Sequence, residues 1–305
     1  MRLLFLLLLL AACSPPEAIG DDDDATEEEP TPADSEHLFS FAVLADPHIT
    51  GEGDHADRLR RAIDWIALEE DARAIELVLV LGDIGWGGGL ELSKVLLDEL
   101  PMPYLPVLGD NPIQVGDEED WDRVFGPHLE SLSQEMEGWA RGPVAGWTPV
   151  QEADAWFQNA AFDYGGLRFV SLDFNTRHQG GLLSELADLH DFEGGTMPFL
   201  EEQLATLAPG WDENVVMASH HPMHIPAFTA DELAQLTGEI APHSHRVFGD
   251  FAGHYHGDGH EVIDEGGYEV FVTDATWDDE VTVRVVEVWG DGQAVSFVQD
   301  LVIVD

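Results

Sequence analysis

Five short polar stretches interrupt the apolar runs of this 305-residue chain, and each carries residues able to bind a metal or move a proton. Asp46-Pro47-His48 follows FSFAVLA, and Gly82-Asp83 follows ELVLVL. Gly109-Asp110-Asn111 closes YLPVL, Ser219-His220-His221-Pro222 closes NVVMA, and Gly253-His254-Tyr255-His256 closes RVFGDFA. A single Gly-Asp after a strand is what an ordinary turn requires. A His-x-His pair says more, because alternate residues on an extended segment project both imidazoles to one side. Five such sites, each at a strand end, make a set of carboxylates and imidazoles. That donor set suits divalent ions of the Mn, Fe, Zn or Co kind rather than Ca.

The apolar runs that must carry these residues alternate with helical patterns. ADRLRRAIDWIALEE (56–70) places Leu59, Ile63 and Ile66 at helical spacing, and LELSKVLLDEL (90–100) reads as a second helix. Strand, helix, strand, helix, strand predicts a parallel sheet with right-handed crossovers, in which ligands sit at the carboxyl ends of the strands. Asp46, Asp83 and Asp110 fall there. Residues 155–175 read as two strands around Gly165-Gly166, hence a hairpin. A helix over 197–208, a strand over 214–219, a helix over 230–238 and a strand over 246–253 follow, and the C-terminus is all strand. The order predicts an α/β fold of two mixed β-sheets packed face to face and flanked by helices. The aromatic-rich segment from Trp121 to Trp156 reads as an irregular excursion, a lid or specificity loop or a bland surface one. Arg168, at the start of a strand, reads as a sheet-edge residue.

The ordered series D-x-H, G-D, G-D-N, H-H-P and G-H-x-H resembles the motif pattern of the calcineurin-like metallophosphoesterases, and LRFVSLDF is similar to that family's central strand. The resemblance runs from about Phe39 to the C-terminal strands. It implies a sandwich of two mixed sheets, in agreement with the reading of the elements. It also implies two divalent ions: Asp46, His48 and His256 on one, His220 and His254 on the other with the residue after the third strand, and Asp83 bridging both. Two ions ~3.5–4 Å apart can share a hydroxide, lower its pKa and clamp phosphoryl oxygens during in-line attack. The expected substrate is a small phosphomonoester or phosphodiester.

One motif departs from the family pattern. The family ends its third strand Gly-Asn-His, with the Asn on a metal and the His near the leaving group; here the letters are Gly109-Asp110-Asn111-Pro112. Without a gap, Asp110 takes the ligand place and Asn111 that of the histidine. With a one-residue bulge, Asn111 keeps the ligand role. The gapless reading is preferred, since Gly109 then holds its place and Asp is a good oxygen ligand. Three carboxylates and one hydroxide neutralise two divalent ions, where two carboxylates leave a positive charge, so metal should bind well while attraction for phosphate drops. Loss of the histidine removes help that typically contributes ~10²–10⁴-fold, and His55, His178, His224, His243 and His260 are candidates to replace it. The alternative is a degenerate relative that binds metal or a phosphate ligand without turnover.

Composition bounds the partners. Hydrophobic residues make up 44%, enough for a sizeable core. Sixty-one acids stand against 12 bases, for a formal net charge of −49, a field that repels nucleic acid and anionic surfaces and attracts divalent cations. Residues 1–12 read as a signal peptide: Arg2 precedes an apolar run too short to span a bilayer. The run ends in LAAC, which resembles the bacterial lipobox and marks Cys13, the only cysteine, for lipidation. Residues 13–37 read as an acidic, self-repelling tether, and 38–305 as the catalytic domain. The expectation is export and attachment to the cell envelope, with the membrane touched only through the lipid. The domain alone still carries roughly −40.

Overall fold

A computed structural model describes residues 35–304 except 179–181, 209, 211, 213 and 293. The leader, Cys13 and the tether up to residue 34 lie outside the described residues. The chain runs β1 (Glu36–Ala45), α1 (Asp54–Arg73), β2 (Ile75–Leu81), α2 (Leu90–Leu97), β3 (Tyr104–Pro106), α3 (Asp110–Gln114) and α4 (Glu118–Glu135). It continues through β4 (Glu137–Arg141), β5 (Ala145–Thr148), β6 (Ala153–Trp156), β7 (Ala160–Tyr164), β8 (Leu167–Leu172), α5 (Thr196–Ala205) and β9 (Val215–Ser219). Then come α6 (Ala230–Ile240), β10 (Val247–Ala252), β11 (Gly259–Ile263), β12 (Tyr268–Val272), β13 (Val281–Gly290) and β14 (Val295–Val304).

Continuous apolar runs need cover on both faces, and they find it in the middle of sheets. One sheet has the order β14-β13-β1-β2-β3, parallel from β1 to β3 and antiparallel elsewhere. The other has the order β11-β12-β10-β9-β8-β7-β4, with β8, β9, β10 and β12 parallel. The two sheets pack through aromatic side chains: Phe41 of β1 meets Phe169 of β8 and Phe251 of β10 edge to face, at 5.5 and 5.4 Å between ring centroids. Helix α1 lays Leu59, Ile63 and Ile66 on the first sheet, while α5 and α6 cover the second with Leu200, Leu204, Leu236 and Ile240. This is the expected α/β sandwich of two mixed sheets with helices outside.

Three expectations are corrected. Glu36 and His37 already pair with Gly290 and Trp289, so the fold begins at least two residues before the boundary placed at 38. Residues 121–156 are not an irregular excursion. Most of their first half is α4, which buries Trp121, Phe125, Leu129 and Leu132 at helical spacing despite Gly126-Pro127 inside it, and the rest forms β4 and the β5–β6 hairpin. Arg168 lies on β8, between β7 and β9, and its guanidinium reaches Asp163, Gln203 and the carbonyl of Gly138. Among the described residues, no helix is long and apolar enough to cross a membrane.

Candidate metal centre

Parallel strands end on one edge, so β1, β2 and β3 deliver Asp46, His48, Asp83 and Asp110 together, and β9 and β10 bring His220, His254 and His256 from the facing sheet. Backbone bonds lock the ends: His48 N–H donates to the Asp83 carbonyl at 2.9 Å, Gly253 N–H to the His220 carbonyl at 3.1 Å, and His254 N–H to Asp46 Oδ2 at 2.9 Å. Two of the glycines in the motifs are there for closeness. A Cβ on Gly82, whose φ is +77°, would stand 2.2 Å from the His220 ring, and one on Gly109 would stand 2.1 Å from the Asp83 nitrogen.

Turning seven side chains inward from strand ends requires unusual backbone. Asp46, His48, Asp83, His254 and His256 all have φ between +43° and +71°, in the left-handed region that side chains with a Cβ avoid. Only three other non-glycine residues described here share it, Ala74, Glu152 and His190. Concentrated strain of this kind is held where the surrounding structure needs a side chain in one place.

The side chains fall into two groups with Asp83 between them. Asp46 Oδ1 stands 3.9 Å from His48 Nε2 and 3.7 Å from His256 Nε2. Asp110 Oδ1 stands 2.9 Å from His220 Nε2 and 3.7 Å from His254 Nδ1. Asp83 Oδ2 lies 3.3 Å from His48 Nε2 and 3.8 Å from His220 Nε2, one histidine of each group. Within each group the donor atoms all lie within 4.8 Å of one another. Asp46 Oδ1 and His48 Nε2 are buried with no hydrogen-bond partner, a cost that a bound cation would remove.

A calcineurin-like phosphoesterase family model matches residues 39–258. The chain belongs to the calcineurin-like phosphoesterase family. The match begins at Phe39, as the motifs lead one to expect, and ends just before β11–β14. A dimetal phosphatase from Danio rerio, 16% identical, aligns over 88% of this chain and 100% of its own with a TM-score of 0.55, and so has the same fold. The Thermus thermophilus sulfate thiohydrolase SoxB (14% identity, 84% of this chain, 43% of its own, TM-score 0.48) and GAP50 of Plasmodium (12%, 88%, 90%, 0.46) are more distant. Curated protein sequences give no match.

The electrostatics of the centre are those of a cation site. Burial works to strip the proton from His220, yet Asp83, Asp110 and Asp46 carry it up to about 10. Burial pushes Asp46 up to about 7 against the pull of His220. Asp110 is driven up by burial but held well below the carboxylate range by hydrogen bonds with His220 and His254. His256 is pushed down to about 4 by burial and by His48, leaving the neutral imidazole that metals bind.

Other residues hold the donors in place. The Asn111 side chain, expected near the leaving group, is turned to Asp83 and donates to Oδ2, while its backbone N–H donates to Oδ1 at 2.9 Å. Gln114, one turn on, donates to Asp110. His221, the second histidine of its motif, is fully buried, with Nδ1 3.1 Å from Asn175 Oδ1 and its ring 4.2 Å from that of His254. Asn175 in turn donates to Asp173, which is paired with the buried Arg177 at 2.7 Å. Of the histidines expected to compensate at 111, His55 bonds the His48 carbonyl, His224 pairs with Glu261 and His260 with Glu269. Trp86 and Trp277, unread in the sequence, flank His48 with centroids 5.2 and 5.6 Å away. Isolated tryptophans in loops carry no periodic signal, which is why they were missed.

Proposed function

We propose that this protein is a binuclear-metal phosphoesterase acting on small phosphate esters. The observation that carries the reading is Asp83 Oδ2, placed within 3.8 Å of one histidine from each group. Asp46, His48 and His256 would hold one ion, Asp110, His220 and His254 the other, and Asp83 would reach both. Two ions of the Mn, Fe, Zn or Co class supply Lewis acidity there, polarising phosphoryl oxygens and acidifying water. The chain's own residues fix that arrangement. Asp110 brings a third carboxylate and lowers the positive charge of the centre, Gln114 orients Asp110, and Asn111 orients Asp83. With no imidazole at 111, departure of the leaving group goes without a proton donor from that position, so an ester with a good leaving group is the best substrate.

The commitment of Asn111 to Asp83 also favours a second reading, a family member that holds metal and binds a phosphate ligand without turnover. One experiment separates them: protein loaded with Mn²⁺, assayed on p-nitrophenyl phosphate and bis-p-nitrophenyl phosphate, with Asp83→Ala as control. Turnover that is lost in the control supports the enzyme, and the ratio of the two rates separates monoester from diester preference. Two bound metals without turnover supports the second reading. The LAAC stretch supports export and lipid attachment at Cys13. Cys13→Ser should then move the protein from the membrane to the soluble fraction.

A further inference from the structure

Asn175 lies just past the end of β8 and is 1% exposed, yet each of its polar atoms has a protein partner. Its Nδ2 donates to the Leu108 carbonyl at 2.8 Å and to Asp173 Oδ1 at 2.9 Å. Its backbone N–H donates to Asp173 Oδ1 at 3.3 Å, and its carbonyl accepts from His190 Nε2 at 2.8 Å and from Arg177. A carbonyl cannot donate, nor can a carboxylate paired with an arginine, so the amide can face Leu108 and Asp173 only with its nitrogen. That leaves Oδ1 for His221 Nδ1, 3.1 Å away. An amide oxygen only accepts. His221 Nδ1 must therefore carry a proton, while its Nε2 is buried with no hydrogen-bond partner.

These contacts converge on one half of the metal centre. Leu108 stands just before Gly109-Asp110, on the way out of β3. His221 follows His220 out of β9, and its ring lies 4.2 Å from that of His254, past the end of β10, tilted by 42°. Asn175 thus holds, directly or through His221, the three chain segments that carry Asp110, His220 and His254. Among the described residues, no hydrogen bond joins Asn175 or His221 to Asp46, His48 or His256. Behind the amide, buried Arg177 pairs with Asp173 at 2.7 Å and with Glu118 of α4 at 3.1 Å. Buried ion pairs add little net stability, and this one gives the amide a fixed place.

Resting on the binuclear-metal reading, we infer that Asn175, anchored by Asp173 and Arg177, is the positioning residue for the ion assigned to Asp110, His220 and His254, and that it acts by holding His221, protonated at Nδ1, against the His254 ring. Two measurements test it. In the metal-free full chain, nitrogen NMR of the histidine rings should show a proton on His221 Nδ1, the signals being assigned by their loss in His221→Asn. A proton on Nε2 with Nδ1 bare would overturn the inference, whatever any variant does. Mn²⁺ binding is then followed by equilibrium dialysis and by EPR, which tells a coupled ion pair from a lone ion. Asn175→Ala should weaken one ion about tenfold and leave the other unchanged, so that lone ions replace coupled pairs at intermediate Mn²⁺. Asn214→Ala removes another buried amide, just before β9 and so at its opposite end; it should lower the melting temperature with both ions held as in the parent. Both ions weakened alike in Asn175→Ala, neither weakened, or one lost as readily in Asn214→Ala would each overturn the inference. A parent with two ions and the Nδ1 proton that hydrolyses no ester would overturn the phosphoesterase reading and leave the inference standing; turnover in a protein whose Asn175→Ala variant keeps both ions would do the reverse. A parent that binds no Mn²⁺ would overturn both.

Discussion

At the scale of the residue, position 110 sets the balance between holding metal and attracting phosphate. Asp110 Oδ1 lies 2.9 Å from His220 Nε2, where the family pattern puts a neutral amide. Asp110→Asn removes a negative charge from the centre. Metal affinity should fall about 10- to 100-fold, while inhibition by inorganic phosphate tightens in protein kept saturated with metal. Equilibrium dialysis against Mn²⁺ and a phosphate inhibition curve read the two effects, and parallel changes in both would count against this balance. Asn111→Ala leaves Asp83 without its side-chain donor and should cost about 10- to 100-fold in metal affinity or turnover. A variant at position 111 equal to the parent would mean that Asp83 is held by the strand end alone.

At the scale of the element, the strand ends carry the site at the expense of backbone comfort. His256 has a φ of +51° and a half-exposed side chain. His256→Gly should relieve about 1 kcal/mol and raise the melting temperature of metal-free protein, while metal binding weakens. On β10, beside β9, Asp250 is buried, accepts from Ser219 Oγ at 2.9 Å and from Met223 N–H at 3.1 Å, and is pushed up to about 7 by burial. Its stabilising contribution is complete at low pH. As the pH rises past the ordinary carboxylate range the unfolded chain releases this proton first, so stability falls until the folded protein also releases it near pH 7. Asp250→Asn should flatten that fall, roughly 4 kcal/mol as an upper figure, in urea titrations with EDTA between pH 4 and 8. Much of the element order was legible in the sequence, because LVLVLG and NVVMAS are short unbroken apolar runs ending in polar residues. Helix α4 was not, since Gly126-Pro127 breaks the pattern that Trp121, Phe125, Leu129 and Leu132 complete only in three dimensions. The five motifs contain the seven side chains that the strand ends bring together. The turn of Asn111 toward Asp83 and the buttress from Arg177 through Asp173 and Asn175 to His221 depend on contacts between residues up to about 46 positions apart, which no spacing rule anticipates.

At the scale of the whole molecule, 61 acids against 12 bases make self-repulsion a standing load on the fold. Raising NaCl from low to physiological ionic strength should therefore raise the melting temperature of metal-free protein, an effect that screening of surface charge produces and loss of surface ion pairs would reverse. Divalent ions bound to the centre should act further. At a free concentration 100 times the dissociation constant, one ion adds about 2.7 kcal/mol, so EDTA should lower the melting temperature at constant salt. Sheet order has a consequence for assembly of the centre. β1 lies between β2 and β13, and its antiparallel partner β13 spans Val281–Gly290, far along the chain. A chain cut after Asp250 holds five of the seven donors, yet lacks His254, His256 and the β13 strand that flanks β1. Filling both donor groups thus requires both sheets to have closed, and the centre should serve as a stamp that only a folded chain receives.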